Sequence, residues 1–156
     1  MGHIILWRAE VAVEEGDLET ALEMVNMIRA RAADDIVMGK ISNTNFAAGF
    51  ELDIDETQPA ANYNLGLYES FPDQDFARKA VRHEMRLEFA LEGMRFFDLV
   101  RWGIDAATLQ QYLQSEDGLR PWMTGATYDA GKDDHWPVPQ VQLDLQSGVL
   151  VQDPAH

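Results

Sequence analysis

The sequence predicts an all-α fold in which long irregular segments separate the helices. Apolar residues follow helical spacing near the start of the chain and again in its middle, while the stretch between these regions has no such period. With 156 residues, the chain has the length of about one domain. We therefore expect one domain over residues 1–156, made of a helical hairpin (1–32), a long loop (33–74), charged helices (75–114) and a loop-rich tail (115–156).

The first 32 residues are typical of two antiparallel helices. The first helix is predicted over residues 4–15 and ends at Gly16, and Asp17 is a residue type that commonly caps a following helix. The second helix is predicted over residues 18–32, with apolar residues at helical spacing: Leu18, Ala21, Leu22, Val25 and Ile28. The turn between them is too short for any packing but antiparallel. Trp7, on the first helix, is expected in the core.

Residues 33–74 form the longest stretch without helical period. Glycine and proline recur within it, at Gly39, Gly49, Pro59, Gly66 and Pro72. Loops of this length are uncommon inside a compact domain and are usually functional or pack against a neighbouring part of the protein that lies outside the chain. We expect an irregular segment here and a second one beyond residue 114.

Three carboxylates lie on the apolar side of the helix predicted over residues 75–92. Glu84, Glu88 and Glu92 are spaced four residues apart, between two apolar rows of the helical wheel. A buried carboxylate must be paired, hydrogen-bonded or protonated. One interpretation is the acid and base of a glycosidase. The other is an ion-pair network with Arg95 and Arg101 of the next segment, which we favour because catalytic pairs usually face each other across a cleft.

Aromatic residues in the irregular segments are candidates for sugar binding. A flat ring can stack on the C–H groups of a sugar while a phenol or an indole keeps a hydrogen-bonding group. On this basis Tyr63, Tyr68 and Trp122 are candidate glycan-binding residues. The alternative is that these rings only attach their loops to the body of the protein. Phe46 and Phe50 raise the same question.

The composition excludes several classes of function. The chain has 27 acidic and 12 basic side chains, for a formal net charge of −15, which disfavours nucleic acids and anionic lipid surfaces as partners. It contains no cysteine, so disulfides and zinc–thiolate sites are ruled out. No catalytic, metal-binding or cofactor motif stands out, and we expect no cofactor. No apolar run is long enough to span a membrane.

Three blocks of the sequence carry a recognisable pattern in a fixed order. The first is the hairpin, which closes on Asn26-Met27-Ile28-Arg29-Ala30-Arg31. The second contains Glu84, Glu88, Glu92-Gly93, Arg95, Asp98-Leu99 and Arg101-Trp102-Gly103. The third is Trp136-Pro137-Val138-Pro139-Gln140, followed by Val151-Gln152-Asp153-Pro154. Together they closely resemble the C-terminal portion of SusD/RagB-family proteins, whose helices are tetratricopeptide-like and form an α–α superhelix.

The resemblance implies a non-catalytic, cell-surface protein that binds glycans or other nutrients. Members of this family are lipoproteins of the outer membrane in Bacteroidetes-type bacteria and work with a SusC-like TonB-dependent transporter. The family is usually about three times longer than this chain, so the resemblance implies a fragment whose lipid anchor lies elsewhere. It also implies a structural, fold-locking role for the charged residues, namely Glu84, Glu88, Arg95, Asp98 and Arg101. A stand-alone helical-repeat scaffold that binds another protein remains the alternative.

Overall fold

A computed structural model of the protein describes residues 2–43 and 53–156, and about half of the chain is helical. The elements in chain order are α1 (Gly2–Glu15), α2 (Leu18–Asp34), β1 (Met38–Asn43), β2 (Asp53–Pro59), α3 (Gln74–Glu88), α4 (Met94–Arg101), α5 (Asp105–Glu116) and α6 (Gln140–Leu145). The prediction of an all-α, tetratricopeptide-like fold is confirmed. Within the described ranges, no helix has both the length and the apolar character that crossing a membrane requires.

The chain divides into two compact units, Met1–Ala90 and Leu91–His156. The sequence indicated one domain over the whole length, because 156 residues match the size of a typical domain. The division falls just after α3, within the part that the sequence predicted as one run of charged helices. We describe each unit by itself.

The first unit is built on α1, α2 and α3, each of which contacts the other two. Between α1 and α2, Gly16 has a φ of +81°, a conformation that favours glycine, and the Asp17 carboxylate accepts a hydrogen bond from the Thr20 amide at 3.0 Å. The most deeply buried side chains include one or more from each helix: Leu6, Val13, Val25, Val81 and Met85. The prediction that Trp7 lies in the core is wrong, because 47% of its surface is exposed.

The segment predicted as a long loop contains a two-stranded sheet. Strands β1 and β2 pair in antiparallel fashion, with Lys40 opposite Asp55 and Ile41 opposite Ile54, and the register shifts on both sides of these pairs. The two strands have no helical period, and β2 is polar at most of its positions and ends in Pro59. Phe46 and Phe50 lie outside the described residues.

The second unit contains α4 and α5, which contact each other, the short helix α6 and long connecting segments. Gly93, with a φ of +75°, precedes α4. The buried side chains of this unit include two carboxylates, Asp98 and Asp105, beside the apolar Leu99. The helix predicted over residues 75–92 ends at Glu88, so Glu92 is not part of it.

Candidate functional site

The carboxylates of α3 are paired with arginines of α2. Glu84 is 3% exposed, and its Oε1 lies 2.5 Å from Nη1 of Arg29. One turn further on, both carboxylate oxygens of Glu88 accept from Nη2 of Arg31, at 2.5 and 2.6 Å. Sequence reasoning expected Arg95 and Arg101 as the partners, because they follow closely in the chain. The structure instead supplies Arg29 and Arg31, which precede Glu84 and Glu88 by 55 and 57 residues.

The other members of the expected network lie on α4, in the second unit. Asp98 is buried and accepts a hydrogen bond from Nη2 of Arg101 at 3.0 Å, one turn along the same helix. The guanidinium groups of Arg95 and Arg101 lie 5.5 and 5.4 Å from the ring centre of Trp102. The five residues therefore belong to local ion pairs and cation–π contacts in both units.

These pairs do not have the geometry of the glycosidase alternative. A glycosidase needs two carboxyl groups that flank a bound sugar, with access for water. Glu84 is buried against Arg29, and both oxygens of Glu88 lie within hydrogen-bond distance of Nη2 of Arg31. Both carboxylates are therefore engaged in ion pairs with α2.

Tyr68 lies in an aromatic cluster of the first unit. Its ring packs edge-on against Phe71 and Phe76, at centroid distances of 5.5 and 6.1 Å, and the Arg29 guanidinium lies 5.0 Å from its centre. Its backbone is held by the Asn26 side chain, which donates to the Tyr68 carbonyl and accepts from the Tyr68 amide. These contacts attach the segment to the helices, as the alternative to glycan binding supposed.

Tyr63 and Trp122 are exposed aromatic residues, as sugar binding would require. Tyr63 is 39% exposed in the first unit, and its hydroxyl donates a long hydrogen bond of 3.5 Å to the Val37 carbonyl. Trp122 lies on a short 3-10 turn (Pro121–Met123) of the second unit and is 79% exposed. Each ring is accessible in its own unit.

A further group of aromatic side chains lines a cavity in the second unit. The cavity has a volume of about 430 Å³, and its walls are formed by α4 and the segment that follows residue 131. The aromatic residues among its lining are Phe96, Phe97 and Trp136, of which Phe97 and Trp136 are mainly exposed. The Phe96 and Phe97 rings meet edge to face, with centroids 5.8 Å apart.

The polar wall of this cavity is held in place by local hydrogen bonds. Asp133 accepts from the Asp129 amide at 2.7 Å, and its own amide donates to the Asp129 carbonyl at 2.8 Å. His135 lies between two carboxylates: Nδ1 is 2.6 Å from Asp134, and Nε2 is 3.5 Å from Asp153. The Gln152 side chain accepts a hydrogen bond from the backbone amide of Val138 and donates one to the Val138 carbonyl, both at 3.0 Å.

Two opposing pKa shifts accompany this arrangement. The hydrogen bond with Asp134 is the main cause that raises the pKa of His135 above its ordinary value. The same bond is the main cause that lowers the pKa of Asp134. Next to the cavity, burial and then the hydrogen bond to Asp105 raise the pKa of the Tyr128 phenol, whose ring lies 6.5 Å from that of Phe96. The phenol therefore stays protonated at neutral pH.

Sequence reasoning did not find this cavity. Trp136 belongs to the third sequence block, and the helical spacing around Phe96 and Phe97 is compatible with core residues of a packed helix. The signal that the sequence does carry is the dense run from Lys132 to Pro137, which combines a base, two acids, a histidine and an indole. What links that run to α4, some thirty-five residues earlier, is tertiary structure.

Comparison with known proteins identifies the family of this chain. A comparison with curated proteins finds no match. The family model described as "SusD family" matches residues 1–156, which is the whole chain. The fold expected of that family, a mostly helical and tetratricopeptide-like one, is the fold observed. The chain therefore belongs to the SusD family.

Proposed function

We propose that the protein is a non-catalytic, glycan-binding component of nutrient uptake at the outer membrane. In this proposal it works with a SusC-like TonB-dependent transporter and, in its full-length form, is held at the membrane by a lipid anchor. The observation that carries the proposal is the family membership of the entire chain. The expected ligand is an oligosaccharide or a polysaccharide.

The surface of the protein offers the kind of groups that this function needs. Tyr63 and Trp122 expose flat rings to solvent, and Phe97 and Trp136 do so beside a cavity. Rings of this kind bind the apolar faces of sugars and leave hydroxyl groups available for hydrogen bonds. The half-buried Tyr68 is the weakest of the three candidate glycan-binding residues, because its ring already packs against Phe71 and Phe76.

A binding experiment on the complete chain tests the proposal. Isothermal titration against a panel of plant and marine oligosaccharides is expected to identify at least one ligand, with no release of reducing sugar on long incubation. The variants Tyr63→Ala and Trp122→Ala are expected to weaken binding, and Val149→Ala, at a residue 78% exposed, serves as the control. Hydrolysis of any bound glycan would contradict the non-catalytic role.

The transporter partnership needs a separate experiment. We expect the protein to co-purify with a SusC-like transporter encoded beside it when both are expressed together. Co-purification should be unaffected by Tyr63→Ala and Trp122→Ala, because the residues that bind sugar are not expected to form the surface that contacts the transporter. A transporter that purifies without the protein under mild detergent would contradict this part of the proposal.

A protein-interaction scaffold is the second candidate, and one observation favours it. Ile4, Trp7 and Val11 lie on one face of α1 and are 70, 47 and 56% exposed. Such an apolar row is typical of a helix that packs against another protein surface. Two results together would argue against this role: Trp7→Ala leaves glycan binding unchanged, and the protein binds no protein partner.

A further inference from the structure

We propose that the cavity lined by Phe96, Phe97 and Trp136 binds a single sugar ring of a neutral or amino-substituted glycan and discriminates against uronic acids. This inference rests on the proposed function and assigns it a site and a ligand class. The site lies entirely within the second unit, so it depends only on contacts described there.

The apolar wall of the cavity suits a sugar ring. A volume of about 430 Å³ is in the range of small-ligand sites, and it leaves room for one six-membered sugar and part of its neighbour. Trp136, which is 89% exposed, and Phe97, which is 63% exposed, are rings that water covers in the free protein. Stacking a sugar on them removes apolar surface from water without unfolding any part of the cavity.

The polar wall supplies hydrogen-bond acceptors at fixed positions. The Asp133 carboxylate is oriented by the Asp129 amide, and the Asp134 carboxylate by His135. A carboxylate has about four lone-pair sites, so each of these groups can accept further bonds from sugar hydroxyls. Because the local bonds already fix both side chains, binding costs little of their conformational entropy.

The charge of the site determines which sugars fit. The lining contains the carboxylates of Asp133 and Asp134, the ammonium group of Lys132 and the imidazoles of His135 and His156. Since His135 pairs with Asp134, the negative charge of the site comes mainly from its surroundings: the second unit as a whole has ten acidic and four basic side chains. A uronic acid would bring a third carboxylate next to Asp133 and Asp134, and like charges at this range repel. A hydroxyl or an ammonium group meets no such penalty, and an ammonium group gains from the carboxylates.

Titration with length-matched oligosaccharides tests the inference on the full chain. The probes are hexamers of glucose, mannose and xylose, a chitosan hexamer, and hexamers of galacturonate and mannuronate. We expect a neutral or amino hexamer to bind, and Trp136→Ala and Phe97→Ala each to lower its affinity roughly tenfold. Leu145→Ala, at a residue 76% exposed in the same unit, is the matched control and should change affinity less than about twofold.

A substitution at Asp133 tests the discrimination against uronic acids separately. Asp133→Asn keeps an oxygen acceptor for the Asp129 amide and removes one negative charge. We expect it to narrow the difference in affinity between the neutral and the uronate hexamers several-fold. Circular dichroism before and after the substitution separates a lost fold from a lost charge.

The outcomes separate this inference from the function on which it rests. If glycans bind but Trp136→Ala and Phe97→Ala have no effect, the glycan-binding function stands and the cavity is not its site. If uronate hexamers bind as tightly as neutral ones, the charge discrimination is wrong. If no oligosaccharide of any charge binds, both the function and the inference are overturned.

Discussion

The Glu84 carboxylate can be buried because it forms an ion pair with Arg29. Arg29 is itself only 13% exposed at its side chain, and it also donates to the Gly66 carbonyl at 2.6 Å. Its guanidinium is thus shared between a carboxylate, a backbone carbonyl and the Tyr68 ring. One side chain therefore links α2, α3 and the segment that precedes α3.

Arg29→Ala is expected to lower the free energy of unfolding by about 3–5 kcal/mol, because it leaves the Glu84 carboxylate buried without its partner. Urea denaturation measures the change. The matched control is Arg31→Ala, whose side chain is 50% exposed and whose loss should cost about 1 kcal/mol or less. Replacing both partners, as Arg29→Met with Glu84→Leu, should recover most of the stability. Equal effects of the two arginine variants would contradict this account.

The identity of the partners of Glu84 and Glu88 could not be predicted from the sequence. Helical spacing placed the glutamates on the inner side of α3, and that expectation agrees with the burial of Glu84. Which arginine reaches them depends on how α2 crosses α3, and residues 29 and 84 are separated by the sheet and its flanking segments. Local spacing carries no information on such a crossing.

The ion pair of His135 and Asp134 should stabilise the protein only within a window of pH. The pKa of His135 is higher in the folded protein than in the unfolded chain. The stability that this shift contributes is complete at pH values below the pKa of the unfolded state, and it is lost as the pH rises through the pKa of the folded state. The pKa of Asp134 is lower in the folded protein, and the stability that this shift contributes is lost as the pH falls through the pKa of the folded state. We therefore expect His135→Gln to destabilise the protein between these two limits and to match the wild type at higher pH. Urea denaturation as a function of pH measures this, and a difference that persists above pH 9 would contradict it.

At the scale of elements, Asn26 is a second side chain of α2, beside Arg29, that holds the chain between the sheet and α3. The Asn26 amide donates to the Tyr68 carbonyl at 2.8 Å, and its oxygen accepts from the Tyr68 amide at 2.9 Å. An asparagine side chain thus replaces the partner that a strand would have provided. The segment has no helix or strand of its own between Pro59 and Gln74.

Asn26→Ala removes both of these bonds, and we expect it to cost about 1–3 kcal/mol, since the Tyr68 backbone groups are left without their partner in a partly buried place. Faster hydrogen exchange at the Tyr68 amide, and earlier cleavage of residues 60–73 by protease, would accompany the change. Asn26→Asp, which keeps the acceptor, should lose less. Exchange at Tyr68 that is the same in the wild type and in Asn26→Ala would contradict the proposed attachment.

The helices were predictable and the sheet was not, for physical reasons. α1, α2 and α3 bury one apolar face each, so their period is visible in the sequence. β2 exposes all but one of its positions, so it has no apolar alternation that could reveal it. The cavity was missed for a similar reason, because it joins α4 to residues 132–137 through space and has no local pattern.

At the scale of the whole molecule, the acidic charge is unevenly distributed along the chain. Residues 75–103 contain six of the twelve basic side chains but only five of the 27 acidic ones. The excess of negative charge therefore belongs to the rest of the chain. Such a field repels anionic polymers over a distance set by the salt concentration.

The affinity for a neutral glycan should not depend on salt, whereas any residual binding to a uronate polymer should strengthen as salt is added. The reason is that salt screens the repulsion between the chain and the polymer but leaves stacking on aromatic rings intact. Titrations from 20 mM to 500 mM sodium chloride measure both. Uronate binding that weakens with salt would show that a basic surface, and not the acidic field, controls the interaction.

Leu91 has a φ of +67°, which favours glycine, and its side chain is fully exposed to solvent. Neither the backbone conformation nor burial accounts for a leucine at this position. Protein engineering for thermostability should therefore favour a change here: Leu91→Gly is expected to add about 1 kcal/mol and to raise the melting temperature by about 2–4 °C. Scanning calorimetry measures the shift, and Leu87→Gly, inside α3, is the control that should lower it. If Leu91→Gly melts earlier than the wild type, the natural leucine has a use that selection has preserved, such as an apolar contact with another molecule.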